Sequence, residues 1–490
     1  MKSREQSGND EEVRSMYSLL PSLNDLLLGP PFSAIVQAES HGTVVRSTRA
    51  VLGHLKREIA AGRHTLASLK NRLAALHLAV AGEIEQDKRY SLRRVINATG
   101  VILHTNLGRA PLSVSALEHM VEIAAGYSNL ELDLESGERS RRDVHAEELL
   151  LRLLSGEDSV DSTKAAVVVN NCAAATFLAL NSVAEGAEVI VSRGELVEIG
   201  GGFRIPEILA KSGARMREVG TTNRTRLVDY ENAISEDTGL ILRVHQSNFS
   251  IEGFTERPTL QELVALGKRK NVAVFNDQGT GLVSSLEDLG VRAEPTLLNS
   301  FRVGVDLIAA SGDKLLGGPQ CGLLVGRVDL IDRIRKNPLL RAFRVDKLTY
   351  AALEATLMDH LLEKPIPIVS MLHAPAVEIL RRCEWVAGQV CSGDLFAEAV
   401  PVLSLIGGGT APSARLQSSA VSLRHTTLQP QALLRALRGL DPPVIGRVCE
   451  DAVLLDLRTV EPEFDVKLVT LLRQIATASV APHVPSYDHE

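Results

Sequence analysis

Lys314 stands in an unusual place for a charge. It lies in Ser311-Gly312-Asp313-Lys314-Leu315-Leu316-Gly317-Gly318-Pro319-Gln320, between strand-like runs at 305–310 and 321–325. Glycines on both sides let the backbone turn sharply and bring a ligand close. A lysine partly desolvated there would have a lowered pKa and could form a Schiff base with an aldehyde; the other reading is a lysine of a surface turn. Asp277 follows a buried-looking strand and heads Asp277-Gln278-Gly279-Thr280-Gly281. A carboxylate there could keep a pyridinium nitrogen protonated, as pyridoxal phosphate needs to act as an electron sink, or could equally cap a helix.

Three further groups could serve such a centre. Asn170-Asn171-Cys172-Ala173-Ala174-Ala175-Thr176 puts small residues at a helix start, where free backbone N–H groups suit a cofactor phosphate. Arg109 closes the stretch from Asn97 to Gly108, and Arg341 and Arg344 lie one helical turn apart in Arg341-Ala342-Phe343-Arg344, which predicts a shared face. Guanidinium groups match phosphate-like oxyanions, although ordinary surface arginines explain the same residues. His245 could stack on a ring or be a core histidine. No metal-ligand cluster, Ser-His-Asp arrangement or P-loop is present; Gly200-Gly201-Gly202 lacks the lysine and spacing of a nucleotide cradle.

The elements that must position these residues follow from hydrophobic rhythm. Apolar runs at 165–169, 188–191, 240–244, 272–275 and 307–310 each end in a small or polar cluster and lead into a helical stretch. Strands alternating with helices predict a largely parallel sheet covered on both faces, with ligands at the carboxyl ends of its strands. Every polar cluster falls on that edge, which predicts one shared site. The apolar run 165–184 carries Asn170 and Asn171 near its middle, so it reads as strand, turn and helix rather than a membrane span. After about 330 come a helix at 348–362, strand-like segments at 420–423, 444–448 and 452–457, and a helix near 466–475. Pro365-Ile366-Pro367 and Gly407-Gly408-Gly409 are candidate hinges.

Length and composition set the frame. The chain has 490 residues, 45% hydrophobic and 23% charged, enough for about three globular domains. They are expected at 1–90 (helical, with a linker), 91–335 (large α/β) and 336–490 (smaller α+β). Net charge is −7, which argues against indiscriminate nucleic-acid binding. Yet residues 40–80 carry seven basic side chains against the single acid Glu58, a local excess of +6. That is either a solvated helix surface or a phosphate-backbone contact. In the same region Leu66, Leu69, Leu73, Leu76 and Val80 predict one helix face. Five scattered cysteines without a C-x-x-C pair, and a polar N-terminus without an apolar core, fit a reducing cytoplasm rather than secretion.

Taken together, the segments resemble the bacterial selenocysteine synthase family, the L-seryl-tRNA(Sec) selenium transferases. The matching strings run from Val95 to Ala110, Val191 to Gly201, Glu218 to Thr225, Ser311 to Gln320, Arg341 to Lys347, and Pro443 to Arg447, in family order. The resemblance implies an α/β, fold-type I pyridoxal-phosphate transferase with a mostly parallel large domain, a smaller α+β C-terminal domain and a helical N-terminal domain that grips tRNA. By it Lys314 is the Schiff-base lysine, Asp277 the pyridinium partner, and Asp313 a catalytic candidate beside the lysine. Arg109, Arg341 and Arg344 would line a pocket for selenophosphate; Asn171, Cys172, Ala173, His245 and Ser311 would complete the cofactor site. The implied reaction converts L-seryl-tRNA(Sec) to L-selenocysteinyl-tRNA(Sec), by loss of water to an aminoacrylyl-tRNA and addition of selenium. The implied assembly is a cytoplasmic homo-oligomeric ring of dimers, ten protomers being the expected count, with no metal and no membrane partner.

Two positions depart from the family pattern. Cys172 stands where a third asparagine or another small polar residue is usual, and Gln278-Gly279-Thr280-Gly281 replaces Leu-Gly-Ser-Gly. Both changes are conservative in size. The rival within the cofactor class is a lyase acting on a small amino-sugar or amino-acid substrate. Such relatives share the core from Asn97 to Arg109 but tend to lack the N-terminal extension present here. A tRNA-binding protein without catalysis is disfavoured by retention of Lys314, Asp277 and the three arginines. A cysteine desulfurase is disfavoured because no cysteine sits in a recognisable reactive loop.

Overall fold

The computed structural model describes residues 13–156, 161–200, 202–291, 294–391 and 393–477. The chain divides into two compact units, residues 1–94 and 95–490.

The first unit is helical. A helical stretch at 13–18 precedes α1 (Leu23–Leu28), α2 (Pro30–Ala38), α3 (His41–Ala60), α4 (Leu66–Ala74) and α5 (Leu76–Lys88). Ser22, Ser40 and Thr65 start α1, α3 and α4 by accepting the backbone N–H three residues on, which satisfies donors the helix leaves free. The predicted continuous leucine face is split. Ala75 leaves helical geometry at φ −95° and ψ 11°, so Leu69 packs with Met16, Leu55 and Ile59 while Leu76 and Val80 pack with Phe32, Val44 and Ile84. One periodic pattern thereby serves two small cores. The polar sides stay outside: all seven basic residues counted between 40 and 80 are exposed.

The second unit is built on a seven-stranded sheet. Its strands are β1 (Lys164–Val169), β2 (Glu188–Ser192), β3 (Arg215–Val219), β4 (Thr238–Val244), β5 (Ala273–Gly279), β6 (Leu307–Ser311) and β7 (Gly322–Arg327). They lie in the order β1-β7-β6-β5-β4-β2-β3, with β7 alone antiparallel to its neighbours. Successive residues feed opposite faces. Ala166, Val168, Ile190, Ile241, Val274 and Ile308 enter one core; Val167, Val169, Val191, Leu242, Phe275 and Ala309 enter the other. Burial on both faces is why these strands read as continuous apolar runs.

A second sheet follows, from β8 (Leu395–Gly407), β9 (Arg415–His425), β10 (Arg447–Cys449) and β11 (Ala452–Asp456), in the order β10-β11-β9-β8. The short strand Val101–Leu103 adds to β8 in parallel, Leu405 opposite Val101 and Gly407 opposite Leu103. That pairing carries the segment before Arg109 to the end of β8. Among the described residues no helix is long and apolar enough to cross a membrane.

Candidate active site

Lys314 lies three residues beyond β6, in a turn pinned on several sides. Gly318 N–H donates to Gly312 O (2.9 Å), Gly312 N–H to Cys321 O (2.9 Å) and Leu315 N–H to Thr280 O (2.9 Å). The Lys314 ammonium donates to Gly409 O at 3.0 Å. Gly409 has φ +79°, and a Cβ there would stand 3.0 Å from Lys314 Nζ, so glycine keeps the space beside the amine open. The Gly407-Gly408-Gly409 run, expected as a hinge, thus forms part of the wall around Lys314.

Asp277 lies within β5 and is buried. It does not cap a helix. Its Oδ2 accepts from Thr176 Oγ1 at 2.9 Å and its Oδ1 faces the Cys172 thiol at 3.7 Å. Both partners come from α6 (Cys172–Ala184), where Thr176 stands one turn after Cys172. Burial pushes the Asp277 carboxyl up from the usual carboxylate value; Thr176 and the Lys314 charge act against that rise. Among the described residues no cation stands within ion-pair distance of it. Burial, together with the Asp277 charge, also pushes the Cys172 thiol well up, and Ser311 reaches the same thiol. Cys172 is accordingly a neutral thiol.

Asp313, next to the lysine, is buried and accepts from Arg109 Nη1 at 2.6 Å. Arg109 holds a positive φ of 65°, and Ala110 N–H donates to Asp313 O at 3.3 Å, so the segment that begins at the small sheet is tied to the Lys314 turn. Asn171 caps α6 by accepting from Ala174 N–H at 2.8 Å. Ala173 lies in the first turn of that helix. His245 directly follows β4; its N–H donates to Asp277 O at 3.0 Å, and its Nε2 lies 3.0 Å from Glu294 Oε1.

The structure therefore brings Lys314, Asp313, Arg109, Asp277, Cys172 and Ser311 together, with Asn171, Ala173 and His245 on the adjoining backbone. The arginine pair is different. The helix Leu339–Phe343 ends before Arg344, which is extended at φ −63° and ψ 147°, so Arg341 and Arg344 do not share a helix face. Antiparallel bridging of Arg344 to Val169, and donation by Asn170 N–H to Phe343 O at 2.8 Å, draw the chain out of the helix. Arg344 Nη1 lies 3.8 Å from Glu131 Oε1, and Arg341 is exposed. Three residues of the cluster escaped sequence reasoning. Thr176 closes the small-residue string from Asn170 and carried no role there, Gly409 was visible only as a glycine run, and Glu294 carried no local signal.

Residues 95–461 match the family model of L-seryl-tRNA selenium transferase, about three quarters of the chain. The chain belongs to this family. An L-seryl-tRNA(Sec) selenium transferase of Geobacter metallireducens is 43% identical over 460 residues, 92% of this chain and 97% of that relative. One from Aquifex aeolicus is 42% identical over 437 residues (87% and 92%), and one from Moorella thermoacetica 42% over 477 (96% and 99%). Among solved structures, D-glucosaminate-6-phosphate ammonia-lyase superposes with a TM-score of 0.54 at 19% identity, over 79% of this chain and 96% of that one. That likeness speaks to the fold alone.

The fold is that of the fold-type I pyridoxal-phosphate enzymes, and the family's cofactor is pyridoxal phosphate. The residues present fit it. Among the described residues, a primary amine held through a backbone carbonyl, a glycine that leaves room beside it, and a buried carboxylate without an ion-pair partner supply the groups that an aldehyde and a protonated pyridine require. Among the described residues no group of three or more His, Cys, Asp and Glu could hold a metal.

Proposed function

We propose that this chain converts L-seryl-tRNA(Sec) to L-selenocysteinyl-tRNA(Sec), with selenophosphate as the selenium donor. The observation that carries the reading is the placement of Lys314 beside the buried Asp277 and the Arg109–Asp313 pair, in a chain 43% identical along 92% of its length to a selenium transferase. When bound, pyridoxal phosphate supplies an electron sink for a carbanion at the seryl α-carbon.

The chain's own groups do the rest. Lys314 Nζ is the amine that would hold the cofactor through its aldehyde and, when free, would take the seryl α-proton; Gly409 O fixes where the amine points. Asp277 would keep the ring nitrogen of a bound cofactor protonated, and Thr176 holds the carboxylate in place. The start of α6, capped by Asn171 and including Cys172 and Ala173, offers backbone N–H groups to the cofactor phosphate, with Ser311 and His245 alongside. Arg109, Arg341 and Arg344 bind the donor oxyanion and place selenium near the β-carbon after the hydroxyl has left. Asp313, held by Arg109, stands next to Lys314 as an acid–base partner.

The exposed basic surface of residues 40–80 grips the tRNA backbone. Work on tRNA in a reducing cytoplasm agrees with five free cysteines. Exposed Val114, Leu117, Val121 and Tyr127 suit contact with further copies in a homo-oligomeric ring. Lys314→Ala tests the assignment. Turnover falls to background while seryl-tRNA(Sec) affinity stays within a few-fold of wild type; normal turnover in that variant overturns it.

A further inference from the structure

The substrate imposes a geometric demand. Its seryl group is esterified to the terminal ribose of the tRNA, so the terminal nucleoside must rest beside Lys314 whenever the α-carbon reaches the amine. A polar cavity of about 290 Å³ is built from segments next to those that hold Asp277 and Lys314. His245 is on its wall, one residue past β4 and bonded through its N–H to Asp277 O. Pro412 and Ser413 line it too, just beyond Gly409, whose carbonyl holds Lys314. The cavity thus borders the amine's surroundings from two directions. Its size is at the lower end of small-ligand pockets, roughly 300 Å³ and upward.

The chemistry of the wall is specific. Among the described residues Glu294 Oε1 is fully buried without a hydrogen-bond partner, and its side chain is only 7% exposed. It faces His245 Nε2 at 3.0 Å in an ion-pair contact whose geometry is not that of a hydrogen bond, and among the described residues Nε2 has no other hydrogen-bond partner. A buried carboxylate oxygen with spare lone pairs calls for a donor from a ligand. A ribose hydroxyl is such a donor, and a carboxylate accepting from a ribose hydroxyl is a recurrent mode of nucleotide recognition. Phe249, half-exposed on the same wall, offers a ring for base stacking, and Arg257 offers a cation for the phosphodiester leading into the nucleoside.

We infer that this cavity seats the 3′-terminal adenosine of the seryl-tRNA, with Glu294 accepting the free ribose hydroxyl next to the ester and Phe249 stacking on the base. The inference rests on the function proposed above. Glu294 acts here as a substrate-positioning residue: it holds the ribose and leaves the reacting bonds to Lys314.

The test uses the holoenzyme and two substrates, seryl-tRNA(Sec) ending in adenosine or in 2′-deoxyadenosine, each esterified at the 3′-oxygen. Turnover and the cofactor's absorbance change on substrate addition are recorded for both. Loss of one hydrogen bond to a charged group makes the wild type roughly tenfold or more poorer in kcat/KM with the deoxy substrate. Its absorbance change then requires correspondingly more substrate. In Glu294→Ala both substrates behave alike, while Glu294→Gln, which keeps an acceptor oxygen, retains part of the difference. Equal behaviour of the two substrates in the wild type overturns the inference without any variant, as does an undiminished ratio in Glu294→Ala. A wild type that converts neither substrate overturns the function reading, and the inference with it.

Discussion

Replacing Gly281 with alanine adds one methyl group against the backbone that carries Lys314. Gly281 holds φ +70°, and a Cβ there would stand 2.2 Å from Ser311 O and 3.3 Å from Leu316 Cβ. An ordinary carbon–oxygen contact needs about 3.3 Å, so something must move by about 1 Å. Ser311 O is backbone at the end of β6, and Lys314 follows three residues later, so the shift falls on the turn that aims the amine. Gly279 provides the control. It shares φ +70°, but the nearest atom to its Cβ is Asp277 Oδ1 at 3.7 Å, an ordinary contact. Gly279→Ala therefore carries only left-handed backbone strain, about 1 kcal/mol.

Gly281→Ala carries that strain and the collision together. Misplacement by about 1 Å can cost on the order of 100-fold in rate. The assay is an absorbance titration of each apo variant with pyridoxal phosphate, paired with urea unfolding and turnover. Gly279→Ala loses about 1 kcal/mol of stability and binds cofactor within a few-fold of wild type. Gly281→Ala binds at least roughly tenfold more weakly and turns over about 100-fold more slowly. Equal behaviour of the two variants would refute the idea that the Ser311 contact sets the lysine's position.

Burial raises the Asp277 carboxyl, so its ionised form costs folding energy at neutral pH and its neutral form does not. Asp277→Asn is accordingly more stable than wild type in the apo state at pH 7 and nearly inactive. Its stability advantage shrinks as pH falls through the raised native value and is gone below the unfolded value of about 4, as urea unfolding at several pH values would record. Breaking the 2.6 Å Arg109–Asp313 ion pair leaves a buried carboxylate unpaired. Because Arg109 is 38% exposed, a double-mutant cycle with Arg109→Ala and Asp313→Asn should give a coupling of only about 1–2 kcal/mol; additivity would deny the pair. Replacing exposed Arg49, Lys56 and Arg63 with alanine weakens tRNA binding and flattens its salt dependence. The slope of log affinity against log salt falls by up to about 0.9 for each phosphate no longer neutralised, read from binding at a series of salt concentrations.

Much of the large sheet could be read from the sequence because its inner strands are buried on both faces. The runs at 165–169, 240–244 and 307–310 carry apolar residues at consecutive positions, and all three lie in β1, β4 and β6. β3 escaped notice: it is the edge strand, and Arg215-Met216-Arg217-Glu218-Val219 puts charge on the solvent side. β8 escaped for a related reason, since only three of its 13 residues are buried and the rest are half-buried or exposed. Lys314 and Asp277 were visible because a charge beside glycines after an apolar run is rare. The partners that place them were not. Gly409 meets Lys314 across 95 residues and Thr176 meets Asp277 across 101, and local pattern holds no record of such pairings. The Arg341–Arg344 expectation failed because strand pairing to Val169 overrode helical spacing.

The most direct measurement incubates the holoenzyme with seryl-tRNA(Sec) and selenophosphate and determines the mass of the aminoacyl group released from the tRNA. Conversion of seryl to selenocysteinyl, lost in Lys314→Ala and absent with seryl-tRNA(Ser), is the predicted result. Recovery of intact serine from tRNA(Sec), with the cofactor bound and the protein folded, would contradict it.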